Sequence, residues 1–261
     1  MKHVGFIGYG AVARDAHRLL CEHLPAPRLT VLLRPESPSR ATVTPDVAMV
    51  DGIADLVATR PDLVVEAAGQ HVVATLVPEV LAAGIPALVV STGAFAEPGL
   101  LARMTAQARQ HGTRLSLSAG AVAGLDYVEA VALCPEARLR YTSRKPPAAW
   151  RAELAVLGHE APALTSEVVL FEGSADEAAR RYPRNLNVAL TIKLRLGAAA
   201  GGMTVRVVAD PNVVMNTHEI EVESRLGAAV MRFGNVPSAG NPKTSALTGH
   251  TLAAEIRKAL A

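Results

Sequence analysis

The chain has 261 residues, of which 50% are hydrophobic and only 3% aromatic, so its core must consist mainly of Ala, Val and Leu. That composition suits helices packed on a parallel sheet. The formal net charge is +2, with 26 basic and 24 acidic residues, which gives no electrostatic reason to expect nucleic acid or a membrane surface as a partner. No apolar run approaches the roughly 18 residues of a membrane span.

The first 120 residues alternate short apolar strands with helices, and the connections between them are short. The predicted strands cover 4–7, 28–33, 62–66, 87–90 and 115–118, and the predicted helices lie between them, at 53–59, 72–83, 98–110 and from the first glycine turn to about 24. This βαβ alternation predicts a doubly wound parallel sheet.

Longer amphipathic strands appear after residue 120, at 138–143, 166–171, 204–209 and 218–223, with helices at 125–132, 175–182 and 187–196. Their period-2 pattern predicts a mostly antiparallel sheet with one covered face. The expected fold class is therefore α/β. A nucleotide-binding domain would cover 1–120 and be rejoined by a C-terminal helix at 240–261, and a second, catalytic and dimerisation domain would cover 121–239.

The first glycine cluster lies between a strand and a helix. Gly8 would make the tight turn, Gly10 would let the backbone approach a pyrophosphate, and Ala13 takes the third small position. Ala11 and Val12 would offer N–H groups to the phosphates at the helix N-terminus. The alternative is a glycine turn that only packs helix on strand. The cluster favours NAD or NADP as the cofactor.

Arg34 follows the second strand, where an acidic residue would bind a ribose 2′-hydroxyl and an arginine would accommodate a 2′-phosphate. Its position predicts that NADP is accepted, with or without NAD beside it. The alternative is a solvated loop arginine. The two cysteines, Cys21 and Cys134, follow no metal or redox spacing. That spacing predicts no metal site and reduced thiols in a cytoplasmic protein.

The second half contains three polar clusters, at 182–187, 216–218 and 241–245. In the middle one, His218 shares the alternation of Ile220 and Val222, so it is expected to point inward from the start of a strand. An inward histidine is either a structural core residue or a site residue. These clusters favour the second reading.

Together these stretches resemble the L-aspartate dehydrogenase family. The matching segments are GFIGYGAVA, SAGAVAGLD, YTSRKPPAAW, FEGSADEAARRYPRNLNVA, ADPNVVMNTHEIEVES and NPKTSALT, which run from residue 5 to 248. The resemblance implies a Rossmann domain with a catalytic α/β domain and a homodimer. It also implies NAD(P)-dependent oxidation of L-aspartate to iminoaspartate, which hydrolyses to oxaloacetate and ammonia or goes on toward quinolinate. The family's catalytic histidine falls on His218, and its cofactor contacts fall on Ala121 and Asn187.

The chemistry of the residues agrees with this resemblance. A histidine titrates near neutrality, so His218 can take the amine proton or activate the water that attacks the imine. A dicarboxylate substrate needs cations or N–H donors, and Lys243 and Thr244 offer both if they open the last helix. Asn187 opens a helix and is a further candidate for substrate or cofactor. Arg144 and Lys145 are weaker candidates, since charged residues in turns are usually solvated.

Other functions are compatible with the same fold. A homoserine dehydrogenase or a dihydrodipicolinate-reductase-like enzyme would keep the nucleotide domain and change the substrate. The reductase would need a histidine pair near a lysine, and that pair is not found. A nucleotide-sensing module would bind cofactor without turnover and would have no need of a proton-transfer group at His218.

Overall fold

A computed structural model describes residues 1–23, 25–182, 187–197, 202–238 and 241–261, with the backbone alone at 23, 179 and 241–243. Contacts between α-carbons divide the chain into two compact units. Unit 1 comprises Met1–Gly120 and Leu247–Ala261, and unit 2 comprises Ala121–Ala246. Each unit has a sheet of its own. No helix in the described ranges is long and apolar enough to cross a membrane.

Unit 1 is built on a parallel sheet of six strands in the order β3-β2-β1-β4-β5-β6. Its strands are β1 (His3–Ile7), β2 (Arg28–Leu32), β3 (Ala48–Val50), β4 (Leu63–Glu66), β5 (Ala87–Val89) and β6 (Leu115–Leu117). Its helices are α1 (Ala11–His23), α2 (Ile53–Ala58), α3 (Gln70–Ala82), α4 (Leu100–Gln110) and, from the end of the chain, α9 (Leu247–Leu260). This is the strand order of a Rossmann domain, in which ligands bind beyond the carboxyl ends of the strands.

Helix α9 completes the core of unit 1 by packing against α1. Leu252 and Ile256 are fully buried in the same cluster as Leu20 of α1. The two helices approach closely at Gly249, because a β-carbon there would lie 2.6 Å from the Asp15 β-carbon. A larger residue at this position would force the helices apart.

Unit 2 contains a mixed sheet in the order β11-β10-β7-β9-β8, and three of its four pairings are antiparallel. The strands of this sheet are β7 (Arg138–Lys145), β8 (Val168–Ser174), β9 (Met203–Ala209), β10 (Asn216–Ser224) and β11 (Gly227–Asn235). A separate two-stranded pair is formed by β12 (Pro237–Ser238) and β13 (Asn241–Ser245). The helices of unit 2 are α5 (Leu125–Val131), α6 (Arg151–Val156), α7 (Ala175–Arg181) and α8 (Asn187–Leu196). The expected α/β fold class is confirmed.

The C-terminal helix expected at 240–261 begins only at Leu247. Residues Asn241–Ser245 instead form β13, which pairs antiparallel with β12, and the Ala246 N–H donates to the Val236 carbonyl at 2.8 Å. Thr244 therefore lies in a strand and does not open a helix. Hydroxyl residues before an apolar helix resemble N-caps in sequence, but here their backbone groups are engaged in strand pairing.

Candidate active site

The glycine turn of unit 1 has the geometry that a pyrophosphate site requires. Gly8 has φ +88°, and a β-carbon there would lie 2.7 Å from Ala68, so only glycine fits. A β-carbon at Gly10 would meet no atom within 4 Å, so the backbone is open to a ligand. Helix α1 starts at Ala11 and carries no acidic side chain in its first turn, so its N-terminus keeps its positive potential. The turn therefore fits a dinucleotide.

A buried carboxylate that sequence reasoning missed organises the loops beside this turn. Glu66 ends β4, and its Oε1 accepts the N–H groups of Ala68 and Gly69 at 2.9 Å and the Ser91 hydroxyl at 2.9 Å. Its Oε2 accepts the Ser91 N–H at 3.0 Å. One side chain thus ties together the loops that follow β4 and β5, and it positions Ala68 against Gly8.

Two arginines lie near the carboxyl end of β2. The Arg34 side chain is 73% exposed, and its Nε lies 3.4 Å from Glu36 Oε1. Arg40, which the sequence did not single out, donates from Nη1 to the Leu33 carbonyl at 2.9 Å and to Asp51 Oδ1 at 2.5 Å. Arg34 is therefore the more available of the two cations for a ligand.

His218 lies on β10 in unit 2 and faces the covered side of the sheet, together with Ile220 and Val222. It is only 6% exposed, and its Nδ1 lies 2.8 Å from the hydroxyl of the fully buried Tyr141 on β7. The two rings are nearly parallel, at 15°. Burial raises the pKa of the Tyr141 hydroxyl, so this group stays protonated. This hydrogen bond engages Nδ1 and fixes the orientation of the His218 ring, so Nε2 is the ring nitrogen that the bond does not use.

The electrostatic environment keeps His218 neutral. Burial, assisted by the positive charge of Lys145, lowers its pKa to about 4. A neutral imidazole at physiological pH has a lone pair available to accept a proton. This is the protonation state that a general base requires before the reaction begins.

Ala121 is held in place at the same end of the sheet. The Nδ2 of the buried Asn235 donates to the Ala121 carbonyl at 2.8 Å. Asn235 on β11 is directly opposite Asn216 on β10, two residues before His218. The structure therefore brings Ala121, Asn216 and His218 to one end of one sheet. Asn235 could not be found from the sequence, because β11 carries no clear strand pattern.

The other expected site residues lie on different elements. Asn187 begins α8 and is half-buried. Thr244 is half-buried in β13. The side chain of Lys243 lies outside the described residues. Gly8, Gly10, Ala11, Val12 and Arg34 all belong to unit 1.

The Rossmann strand order, the glycine turn and the neutral histidine of unit 2 define the class as an NAD-binding oxidoreductase. Residues 8–118 match the family model for the homoserine dehydrogenase NAD binding domain, and residues 126–259 match the model for the C-terminal part of aspartate dehydrogenase. The two halves of the chain thus match models from two different dehydrogenase families.

Whole-chain relatives point the same way. The chain is 45% identical to L-aspartate dehydrogenase 2 of Bordetella pertussis, with 99% of this chain and 97% of that protein covered. It is 38% identical to L-aspartate dehydrogenase of Cupriavidus necator, with 95% and 94% covered. Its fold is similar to the crystal structure of aspartate dehydrogenase from Thermotoga maritima, with a TM-score of 0.76, 24% identity, and 99% and 96% covered. The chain belongs to the L-aspartate dehydrogenase family.

Proposed function

We propose that this protein oxidises L-aspartate to iminoaspartate with a nicotinamide cofactor. The observation that carries the proposal is the buried, neutral His218 bonded to Tyr141, in the half of the chain that matches the aspartate dehydrogenase model. A nucleotide sensor would have no use for a desolvated proton acceptor. Membership in the family supports aspartate as the substrate.

We infer that unit 1 holds the dinucleotide and that unit 2 carries the catalytic groups. Gly8 and Gly10 would admit the pyrophosphate, and the N–H groups of Ala11 and Val12 would bind its oxygens. Ala121 and Asn187 would be further cofactor contacts, and Asn187, Thr244 and Lys243 would contact the substrate. When bound, the nicotinamide accepts the hydride that leaves the substrate Cα.

His218 would act as the general base. If its Nδ1–H donates to the Tyr141 hydroxyl oxygen, Nε2 carries the lone pair and can take a proton from the substrate amine. Loss of that proton lets the nitrogen lone pair form the C=N bond as the hydride leaves carbon. Once Nε2 has released that proton to solvent, it can take a proton from the water that attacks the imine, which yields oxaloacetate and ammonia. If the imine is instead released before hydrolysis, it would serve pyridine-nucleotide synthesis.

The deciding experiment measures reduced-nicotinamide absorbance with purified protein, L-aspartate and either NAD or NADP at mildly alkaline pH. L-Homoserine, L-glutamate and L-alanine are run beside it. Turnover with aspartate alone is the expected result. Turnover with homoserine would indicate the alternative dehydrogenase. Cofactor binding with no turnover of any amino acid would indicate a sensor or a dihydrodipicolinate-reductase-like enzyme, and would refute the proposal.

We further propose that NADP is accepted beside NAD through Arg34, which is exposed just beyond β2. Arg34→Asp should shift the kcat/KM ratio toward NAD, because a carboxylate repels a 2′-phosphate and can bind a 2′-hydroxyl. Arg18→Asp is the matched control, since Arg18 is an exposed residue of α1 paired with Glu22. An unchanged cofactor ratio in Arg34→Asp would remove Arg34 from cofactor selection.

We also propose a cytoplasmic homodimer. The edge strand β11 has nine residues, and its Val230 side chain is 75% exposed. An exposed edge of this length is a surface that a second copy could cover. Both cysteines are free, which suits a reducing compartment. Light scattering on the purified protein should give twice the chain mass of 27.3 kDa, and a monomer mass would refute the dimer.

A further inference from the structure

Tyr9 lies inside the glycine turn of unit 1, between the two glycines that would face a pyrophosphate, yet its side chain is buried. Only 3% of the residue is exposed, and it belongs to the core cluster that also contains Ala13 and Ala16 of α1. The glycine pattern specifies only the small residues and places no demand on the residue between them. The aromatic ring at this position therefore has a role that the pattern itself does not explain.

The hydroxyl of Tyr9 is hydrogen-bonded to a histidine of the helix that follows the turn. It lies 2.5 Å from Nδ1 of the buried His17, and the two ring centres are 6.0 Å apart. Helix α1 begins at Ala11, so His17 lies about two turns beyond the N-terminus that would bind the phosphates. One hydrogen bond thus connects the glycine turn to the middle of this helix.

Both members of this pair are uncharged near neutral pH. Burial lowers the pKa of His17 and raises the pKa of Tyr9. Asp46 acts electrostatically on both rings, and Cys21 and Arg14 of α1 act on Tyr9. A phenol and a neutral imidazole each have a donor and an acceptor, so the bond satisfies a buried hydroxyl and a buried ring nitrogen together.

The turn is held at three successive residues. The Gly8 N–H donates to the Leu32 carbonyl of β2 at 3.1 Å, and the Gly10 carbonyl accepts the Arg14 N–H of α1 at 3.0 Å. Between these two backbone bonds, the side chain of Tyr9 supplies the third attachment. The backbone that would meet the pyrophosphate is therefore fixed to the sheet on one side and to the helix on the other.

We propose that the hydrogen bond between Tyr9 and His17 positions the glycine turn for the cofactor pyrophosphate and so raises the affinity for the dinucleotide. The inference rests on the proposed binding of a nicotinamide dinucleotide by unit 1. Backbone N–H groups bind an anion best when the loop already holds them in the bound orientation, because ordering a loop on binding costs free energy. Tyr9 and His17 are positioning residues. Tyr141 and His218 form a similar pair in unit 2, but there the histidine is the proposed base.

Another buried histidine of unit 1 provides a matched control. The Nε2 of His3 lies 3.0 Å from the hydroxyl of the buried Thr30. His3 is the first residue of β1, whereas the glycine turn follows the last residue of that strand. Tyr9→Phe and Thr30→Val therefore make the same chemical change, the loss of a hydroxyl bonded to a buried imidazole, but only Tyr9→Phe makes it at the turn.

The binding test titrates the full-length proteins with NADH and with NADPH and follows the fluorescence of the reduced nicotinamide. We expect Tyr9→Phe to raise the Kd about three- to tenfold, the effect of losing one neutral hydrogen bond, and Thr30→Val to stay within about twofold of wild type. His17→Leu should match Tyr9→Phe. His17→Asn should recover most of the affinity, because its side-chain amide can replace the Nδ1 group. The double variant Tyr9→Phe/His17→Leu should lose no more than either single variant, since the same bond is removed.

Competition experiments show which part of the cofactor is affected. ADP-ribose contains the pyrophosphate, and adenosine does not, so both are used to displace the bound reduced dinucleotide. In Tyr9→Phe, the affinity for ADP-ribose should fall by the same factor as that for NADH, and the affinity for adenosine should stay within about twofold of wild type. In steady-state kinetics, KM for the cofactor should rise with its Kd, while kcat at saturating cofactor and KM for L-aspartate should stay within about twofold.

Two results would overturn the inference. Kd values within about twofold of each other in Tyr9→Phe and Thr30→Val would reduce the Tyr9–His17 bond to a structural one. Equal weakening of ADP-ribose and adenosine would show that the effect does not lie at the phosphates. Thermal melting checks that the variants fold, and if Tyr9→Phe does not, the comparison of His17→Leu with His17→Asn decides in its place.

Failure of the proposed function would be recognised separately. A wild type that binds NADH or NADPH but does not oxidise aspartate would refute the proposed oxidation, and the Kd comparison would still decide the role of Tyr9 and His17. A wild type that binds neither dinucleotide would refute both.

Discussion

Arg144 and Lys145 are neighbours on β7, yet the two faces of the strand give them opposite environments. Arg144 donates to Asp210 Oδ2 at 3.0 Å and to Glu219 Oε2 at 3.2 Å, and it also pairs with Glu167. Lys145 points to the other face of the strand, where its ammonium lies 5.2 Å from the centre of the fully buried Trp150 ring. The comparison teaches that alternation along a strand, rather than residue type, decides whether a cation pairs with carboxylates or packs against an aromatic ring.

The largest expected effect is at His218, which lies on the same face of the sheet as Lys145. His218→Ala should fold, bind cofactor and lose about 10²- to 10⁴-fold in kcat, because a positioned general base contributes that much. Steady-state kinetics with L-aspartate measures the loss, and fluorescence titration with the cofactor serves as the control. Activity within about tenfold of wild type would remove His218 from the mechanism. The two faces of the unit 2 sheet would then not differ in catalytic role.

On the opposite face of β7, we expect a substitution to change the stability of the protein rather than its activity. Arg144→Met removes the cation that pairs with Glu167 and Asp210, and it leaves Glu219 with Arg232 as its partner. The Arg144 side chain is only 12% exposed. We expect the free energy of unfolding to fall by about 2–3 kcal/mol, with little change in KM of the folded protein. Urea unfolding measures the difference.

Arg140→Met is the matched control for that variant. Arg140 lies on the same strand, and its exposed Nη1 is 3.5 Å from Glu221, so removing it should cost no more than about 0.5 kcal/mol. Equal losses in the two variants would show that Arg144 has no special role in holding the sheet.

The smallest effect is a pH dependence. The pKa of His218 is about 4 in the folded protein against 6.5 for an ordinary histidine, so the unfolded chain binds the proton first as the pH falls. Stability from this group is complete above about pH 6.5 and is lost progressively toward pH 4. Between pH 7.5 and 5.0, wild type should lose about 2 kcal/mol more than His218→Asn. A difference below about 0.5 kcal/mol would show that the imidazole is not held neutral.

Most elements of unit 1 were predicted from the sequence, since short apolar strands are bounded by glycines and loops. The edge strand β3 was missed, and the last helix was expected to begin before Leu247. Unit 2 was harder. The strand predicted over 138–143 continues to Lys145, so two residues assigned to a turn belong to the sheet. Strand β11 was missed because it begins with Gly227 and two alanines and is largely exposed. Its pattern gives no clear apolar alternation.

The candidate site likewise has parts that could be predicted from the sequence and parts that could not. The glycine turn and the inward direction of His218 follow from local patterns, because both depend on a few adjacent residues. The contributions of Tyr141, Asn235 and Glu66 arise from contacts between distant segments, with Tyr141 and His218 separated by 77 positions. Such contacts depend on strand order and register, which no local pattern specifies.

The packing of α9 on α1 affects the order in which the two units can fold during synthesis. The ribosome finishes residues 121–246 before it makes the helix that buries Leu252 and Ile256 against Leu20. The nascent chain can therefore complete unit 2 while unit 1 still exposes an apolar groove on α1. A translational pause or a bulky tag just before Leu247 would prolong that exposure, and the groove is then a surface for chaperones.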